Sequence, residues 1–576
     1  MGYPPTGSKS THRALARPRR WVSALLGIGV ALVTPAPVNA AEEIFFQYGS
    51  LIRSVQVSSL ETLASEGVVV DDLAFYIKLV GLSEAELEQF RGGLSRTLPI
   101  DGVLLSRFLY SNLGEDLLTR LGEILRLRGG SNGKPALRAA LINAALSAEG
   151  LSAINVVHHL PTDMQISVPE VLAVDTAVAG VVTATSDAVN QLGQLTTDQA
   201  AKEPEIDYST LPDLTQPGPF AVQSQRLNLT DAQRSRQFYV DITRPQQWGS
   251  GLAPVMVFSH GLSASPESRR DWASHLASYG IVVVMPQHPG SDAGQIANFR
   301  AGLSSEIFDI QEFIDRPLDI SFVLDELERR NQREFDGRLD LVQVGAGGHS
   351  LGGYTALAVA GGAINFPYLE QACNQRFIHI NVSLLLQCQA LRLPRQTYRF
   401  RDPRVTSILI SNPVNSSIFG PEGLAPITIP VLVMAGSYDP ATPAVFEQFR
   451  TFPWFTTENR ALALIEGQAH IDLSALDAGV SNLIAKIPGL TLPPPDVIDR
   501  YFNAISLAYV GRYVAQRPDY RVYLRAAYAN YLSQGETFSL FMVNAGADVD
   551  QGLIAPLNER LRPLEQPTRP PAPVAE

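Results

Sequence analysis

The sequence predicts an α/β protein whose mostly parallel sheet carries helices on both faces and follows a mainly helical N-terminal domain. Two patterns predict this architecture. Between residues 255 and 465, short apolar runs alternate with helical segments, as expected for buried parallel strands joined by helices. Between residues 41 and 200, apolar side chains instead recur at helical spacing. With 576 residues, 45% of them apolar and 18% charged, the chain is long enough for several globular domains.

The first forty residues have the composition of a targeting segment. A basic stretch at residues 13–20 precedes an apolar run at residues 21–33, and small residues follow at Val38-Asn39-Ala40. This order predicts a secretory signal peptide over residues 1–40, cleaved after Ala40. The apolar run is too short for a membrane-spanning helix, and no later apolar run of about 18 residues is free of charges. We therefore expect a soluble, exported protein that is periplasmic or extracellular.

The chain has two cysteines, Cys373 and Cys388. In an exported protein, such an isolated pair indicates a disulfide rather than a metal site, because a metal would need further ligands. Two buried free thiols are the alternative.

Residues 41–200 are predicted to form a helical accessory domain of unknown function. Ser58-Ser59-Leu60-Glu61 and Ser83-Glu84-Ala85-Glu86 both have the form of a capping box, which marks the start of a helix. Two apolar stripes follow at helical spacing, namely Leu104, Leu105, Phe108 and Leu109, then Leu117, Leu118, Leu121, Ile124 and Leu125. Such stripes most often pack between helices, and a lipid-contacting surface that touches a membrane is the alternative.

Three further regions follow along the chain. Prolines break residues 201–219 into a linker. Residues 220–555 form the predicted sheet domain, which opens with a hairpin of alternating residues. The hairpin strands are expected at 220–229 and 237–242, and the later strands at 255–258, 281–285, 341–344, 407–410, 431–434 and 461–465. Residues 556–576 form a tail that is Pro-rich from Pro563 and predicted to be unstructured.

One motif carries the chemistry. Gly348-His349-Ser350-Leu351-Gly352-Gly353 follows the predicted strand at 341–344 and precedes a helix-compatible stretch at 354–360. A GxSxG sequence between a strand and a helix is typical of a nucleophile elbow. Side chains at Gly348 and Gly352 would collide in so tight a turn, and the serine must adopt a strained backbone. A phosphate-binding loop would need a lysine near the helix start, and none is present. Ser350 is therefore the candidate nucleophile.

A serine nucleophile needs a base and an orienting acid, which in this motif follow it in the order acid, then histidine. Two histidines lie beyond Ser350. His379 has only Glu370 between it and the serine, with no intervening strand, whereas His470 follows the carboxyl end of a predicted strand. Of the seven carboxylates between Ser350 and His470, only Asp439 comes just after an apolar strand. The predicted catalytic residues are Ser350, Asp439 and His470.

An acyl enzyme also needs donors for the oxyanion. The first candidate is the backbone N–H of Leu351, next to the nucleophile. The second is the backbone N–H of Leu262, in the loop Ser259-His260-Gly261-Leu262 that follows the predicted strand at 255–258. His260 and His288 are expected to fix the neighbouring loops by hydrogen bonds.

Residues 220 to about 515 resemble an α/β-hydrolase, and within that superfamily the platelet-activating-factor acetylhydrolase-like and dienelactone-hydrolase-like esterases. The elbow carries the resemblance together with four other stretches, which are 257–261, 276–283, Arg316-Pro317-Leu318-Asp319 and Gly436-Ser437-Tyr438-Asp439. The whole chain is similar to a bacterial, chiefly cyanobacterial, group of such hydrolases with an N-terminal domain of unknown function. The resemblance implies a serine hydrolase that cleaves carboxylic esters, with lipid or phospholipid acyl esters among the candidates.

One feature departs from the acetylhydrolase pattern. In those enzymes the acid follows the strand after the nucleophile helix, where this chain has Ile410-Ser411-Asn412-Pro413 and no carboxylate.

An insertion at about residues 365–404 is expected to form a cap over the active site. It contains six arginines, Arg376, Arg392, Arg395, Arg399, Arg401 and Arg404. They would suit an anionic or phosphate-bearing head group, unless they pair with acids of the main domain or face solvent.

The expected partner is thus a small-molecule or lipid ester, and the chemistry needs no metal and no organic cofactor. The net charge of −12 argues against a nucleic-acid partner, because an acidic surface repels phosphate backbones. A catalytically silent binding or scaffolding protein is the alternative from another class, and a peptidase or thioesterase could use the same triad.

Overall fold

The structure, a computed structural model, describes residues 40–375, 381–470 and 492–565. Residues 1–39 of the predicted signal peptide lie outside these ranges, as do Arg376, His379 and the end of the Pro-rich tail.

The N-terminal region is mainly helical, with a small four-stranded sheet. Its strands are β1 (Glu43–Tyr48), β2 (Leu51–Gln56), β3 (Leu125–Leu127) and β4 (Met164–Ser167), arranged in the order β2-β1-β4-β3. Its helices are α1 (Val57–Glu66), α2 (Asp71–Val80), α3 (Glu84–Ser95), α4 (Gly102–Tyr110), α5 (Asn112–Ile124), α6 (Lys134–Leu146), α7 (Ala153–His158) and α8 (Val168–Lys202). Leu109 and Leu118, one from each predicted stripe, are buried in the core of this region.

The two predicted capping boxes have different outcomes. At Ser83 the box is confirmed, because the serine side chain accepts from the Glu86 N–H and the glutamate accepts from the Ser83 N–H. At Ser58 the prediction is wrong. Strand β2 runs directly into α1, so the helix already begins at Val57 and Ser58 lies inside it.

A nine-stranded sheet forms the centre of the chain beyond residue 220. Its strands are β5 (Val222–Asp231), β6 (Arg236–Pro245), β7 (Ala253–Ser259), β8 (Val282–Pro286), β9 (Leu339–His349), β10 (Val405–Ser411), β11 (Val431–Gly436), β12 (Arg460–Ile465) and β13 (Leu540–Asn544). Their order is β13-β12-β11-β10-β9-β7-β8-β6-β5. Strands β7 to β12 pair in parallel, whereas β5, β6 and β13 are antiparallel additions at the edges. The predicted hairpin and the six later strands are confirmed.

Helices cover both faces of this sheet. They are α9 (Arg270–Ala277), α10 (Ala293–Ala301), α11 (Glu312–Glu334), α12 (Leu351–Val359), α13 (Phe366–Cys373), α14 (Ser383–Gln387), α15 (Ser416–Leu424), α16 (Pro495–Tyr513), α17 (Ala526–Leu532), α18 (Ala547–Val549) and α19 (Ala555–Glu565). Side chains alternate along each strand, so that Val255 and Val257 face one apolar cluster and Met256 and Phe258 face the other. Because α19 extends to Glu565, the start of the predicted unstructured tail is helical.

Helix α8 connects the helical region to the sheet. Val182 in its first half is 64% exposed, whereas Ala184, Ala188 and Leu192 are buried in the core of the sheet region. By length and composition alone, α8 is also the one helix among the described residues that could cross a membrane. The predicted domain boundary at residue 200 falls inside α8, and the described residues all belong to one compact unit.

The insertion at residues 365–404 contains α13, α14 and a 3-10 helix at Cys388–Arg392. Cys373 and Cys388 are joined by a disulfide, which confirms the predicted pairing. Closing a loop of this length stabilises the fold by about 3 kcal/mol when the bridge is unstrained.

Candidate active site

Ser350 stands on a sharp turn between β9 and α12. Its backbone has φ of +57°, a conformation that costs free energy for any residue with a side chain. A Cβ at Gly352 would collide with the Ser259 carbonyl, and a Cβ at Gly348 would collide with the backbone of Gly352. The turn is therefore possible only with glycine at both positions, and it holds the serine hydroxyl at the carboxyl edge of the sheet.

Ser350, Asp439 and His470 lie within hydrogen-bonding distance of one another. The His470 Nε2 is 2.9 Å from the Ser350 Oγ, and the His470 Nδ1 donates to the Asp439 Oδ2 at 2.7 Å. The three residues follow β9, β11 and β12, whose carboxyl ends meet at one edge because these strands are parallel. The imidazole is thus placed to accept the serine proton while the carboxylate holds the opposite ring nitrogen.

Asp439 is held by four donors besides the imidazole. Its Oδ1 accepts from the backbone N–H groups of Ala441 and Thr442, at 2.9 and 2.8 Å. Its Oδ2 accepts from the Asn412 side-chain amide and the Thr442 hydroxyl, each at 2.6 Å. These contacts fix the orientation of the carboxylate, and hence that of His470. The sequence signal for Asn412 is its position at the carboxyl end of β10, beside the strand that supplies Asp439.

His349 packs directly against His470. The two ring centroids are 4.7 Å apart, and the His349 side chain hydrogen-bonds to the backbone of His470. Burial, and then the neighbouring His470 and Arg269 side chains, lower the pKa of His349 well below its ordinary value. His349 therefore stays neutral and supports the loop that carries the base.

The two predicted oxyanion donors flank Ser350. Leu351 begins α12 directly after the serine, and Leu262 follows Gly261, whose Cα lies against the nucleophile. A Cβ at Gly261 would be 3.3 Å from the Ser350 Cβ, closer than most side-chain contacts. Among the described residues, the N–H of neither Leu262 nor Leu351 donates to a backbone carbonyl. Their role as oxyanion donors stays a prediction.

A buried ionic cluster lies behind the Leu262 loop. Its members come from β6, β7, α11 and the loops after β7 and β8. They are the partly buried Arg236 and the buried Ser259, His260, His288, Ser291, Glu312, Arg316 and Asp319. Asp319 accepts from the His288 Nδ1 at 2.9 Å, and the His288 Nε2 lies 2.8 Å from the Ser259 hydroxyl. His260 and His288 thus make the loop-fixing hydrogen bonds expected of them.

Three of the five arginines that the structure describes in the insertion lie within ion-pair distance of carboxylates. Arg392 lies 3.4 Å from Asp116, and Arg395 lies 3.8 Å from Glu370. Arg404 contacts three acids, Asp325, Glu328 and Asp402, at 2.7 to 3.1 Å. The predicted pairing with acids of the main domain describes Arg404, whose partners Asp325 and Glu328 lie on α11. Arg392 instead pairs with the N-terminal region, and Arg395 pairs within the insertion.

Hydrogen bonds to the buried Glu447 side chain connect the insertion to the sheet domain. Glu447, fully buried in a π-helix at Val445–Phe449, accepts from Asn381, Ser383 and Gln387 of the insertion. It also accepts from the backbone N–H of Ser416, the first residue of α15.

Two family models match parts of the chain. An alpha/beta hydrolase family of unknown function (DUF1400) matches residues 40–167, and the chlorophyllase family matches residues 210–373. The second match includes Ser350 and ends before Asp439. No curated protein matches the chain. The closer likeness to acetylhydrolase-like and dienelactone-hydrolase-like esterases stays a prediction. The sheet topology and both family matches together give the chain an α/β-hydrolase fold.

Proposed function

We propose that this chain is a serine hydrolase that cleaves carboxylic esters through an acyl enzyme. His470 removes the proton from Ser350, whose oxygen attacks the ester carbonyl, and the alcohol leaves with the proton that His470 returns. The N–H groups of Leu262 and Leu351 stabilise the oxyanion, and Asp439 keeps His470 in the required tautomer. Water then attacks the acyl enzyme by the same route and releases the acid.

The observation that carries this proposal is the continuous hydrogen-bonded series from Asp439 through His470 to Ser350. Its two distances, 2.7 and 2.9 Å, are those of an assembled triad. The strained serine further supports the proposal, as do the N–H groups of Leu262 and Leu351, which donate to no backbone carbonyl within the described part of the chain.

Among the acyl-transfer reactions that such a triad supports, we favour ester hydrolysis over peptide or thioester hydrolysis. The match to the chlorophyllase family supports hydrolase chemistry on this fold, and the elbow resembles that of the esterases. Lipid acyl esters belong to the proposed class, whereas the ion pairs of Arg392, Arg395 and Arg404 weaken the argument for a phosphate-bearing head group. Export is part of the proposal, since the Cys373–Cys388 disulfide is compatible with it.

The first test is ester hydrolysis by the Ser350→Ala variant. On a panel of short p-nitrophenyl esters and long-chain lipid esters, the variant is expected to lose activity by at least about 10⁴-fold. Ser417→Ala is the matched control, because Ser417 is also buried but contacts none of the three residues. Activity that survives in Ser350→Ala would contradict the proposal, and a wild-type chain that hydrolyses no ester would favour a silent scaffold. Preferential cleavage of peptides or thioesters would reassign the substrate class.

A further inference from the structure

We infer that His260 and Arg316 are positioning residues, which orient the peptide unit between Gly261 and Leu262 and so direct the Leu262 N–H toward the oxyanion. This inference rests on the proposed function. It concerns side chains behind the loop that need not touch substrate.

The direction of the Leu262 N–H is tied to that of the Gly261 carbonyl. In a planar trans peptide, the carbonyl of one residue and the N–H of the next point in opposite directions. The groups that hold the Gly261 carbonyl therefore also set the direction of the Leu262 N–H. That carbonyl accepts from the His260 Nδ1 at 2.8 Å and from the Ala264 N–H at 3.3 Å, and the Arg316 Nη2 lies 3.5 Å from it.

The contacts of His260 require one tautomer. Its Nε2 accepts from the backbone N–H of His288 at 3.1 Å, so the proton must be on Nδ1, where it is donated to Gly261. Burial and then the Arg316 charge hold the pKa of His260 well below its ordinary value, which keeps the ring neutral. A protonated ring would lose the contact with His288.

Arg316 fixes the preceding peptide of the same loop. Its Nη1 donates to the His260 carbonyl at 2.7 Å, and its Nε donates to the Ser291 hydroxyl at 2.9 Å. The side chain is fully buried and faces Glu312 at 3.5 Å, which balances its charge. Ser291 also binds the far end of the loop, because its carbonyl accepts from the Ser263 N–H at 2.8 Å. The loop is thus held on both sides of the Gly261–Leu262 peptide.

The experiment compares His260→Ala, His260→Asn, Arg316→Lys and the charge-balanced double variant Arg316→Met/Glu312→Gln. The Asn side chain can still donate from the position of Nδ1, and Lys can still reach one carbonyl. For each folded variant we would measure kcat and KM on a p-nitrophenyl ester and the affinity for a trifluoromethyl ketone, which forms an oxyanion on Ser350. Arg234→Met is the control, since Arg234 binds Asp319 in the same cluster but no carbonyl of the loop.

Loss of one oxyanion donor lowers kcat by about 10²- to 10³-fold. We expect His260→Ala and the double variant to lose kcat and ketone affinity in parallel, with KM nearly unchanged and partial recovery in His260→Asn and Arg316→Lys. Arg234→Met should lose stability but keep kcat. Folded variants that retain kcat and ketone affinity would overturn the inference, as would a loss of kcat with unchanged ketone affinity. A failure of the proposed function is distinguishable, because the wild type would then show no Ser350-dependent hydrolysis.

Discussion

At the scale of single residues, the candidate site joins three side chains that lie far apart in the sequence. Ser350, Asp439 and His470 each follow the carboxyl end of a buried strand, so the strand pattern alone indicated that they could meet. Asn412 also follows a strand end, but the strand pattern does not indicate that its amide reaches the Asp439 carboxylate, and the same is true of the Thr442 hydroxyl. The same holds for Arg316, whose partners are backbone carbonyls of a loop far away in the chain.

The Asp439→Asn variant tests the acid. An amide at this position must turn its NH₂ group toward some of the donors that now face the carboxylate. If the NH₂ group faces His470, it stabilises the tautomer that cannot accept the proton of Ser350. We expect kcat to fall by about 10⁴-fold with the fold retained. Thr442→Val, which keeps the carboxylate, should lose far less activity, and equal losses would contradict this role for Asp439.

At the scale of elements, the buried parallel strands could be predicted from the sequence, whereas β13 and the four short strands of the N-terminal region could not. Strands β7 to β12 are continuous apolar runs because helices cover both of their faces. Strand β13 and the small N-terminal sheet form through pairing with distant or short partners, which local sequence does not record. The start of α1 was misplaced for a related reason, since pairing of β2 with β1 fixes Gln56 as the residue before the helix.

Helix α8 offers a matched pair of variants on one element. Leu192 is fully buried against the sheet region, whereas Val182 is largely exposed. Leu192→Ala should lower the free energy of unfolding by about 2–5 kcal/mol because it leaves a cavity. Val182→Ala should change it by less than about 0.5 kcal/mol. Urea denaturation of both variants measures the difference, and similar values would contradict the packing of α8 into the core.

At the scale of the whole molecule, buried imidazoles make stability depend on pH. Burial, aided by nearby positive charge, lowers the pKa values of His260, His288 and His349 well below 6.5. Below pH 6.5 the unfolded chain therefore binds protons on these residues that the folded chain does not. Each imidazole lowers the free energy of unfolding by about 1.4 kcal/mol per pH unit as the pH falls. Glu312 opposes this effect, because burial raises its pKa to about 7 and the folded chain takes up that proton first.

Burial also lowers the pKa of His275 and raises that of Asp319. The net expectation is a loss of stability as the pH falls from about 6.5 to 5, because the imidazoles with lowered pKa values outnumber the two carboxyl groups with raised pKa values. Urea denaturation at a series of pH values measures it. Stability that stays constant or rises over this interval would show that the buried imidazoles are not held neutral.

The most direct test of the central claim is covalent labelling with a fluorophosphonate, located by peptide mass spectrometry. The reagent reacts only with a serine that a base activates beside an oxyanion site. We expect one label, on Ser350. It should be absent in Ser350→Ala, and the labelling rate should be much lower in His470→Ala. A folded wild-type chain that takes up no label, or a label on another serine, would contradict it.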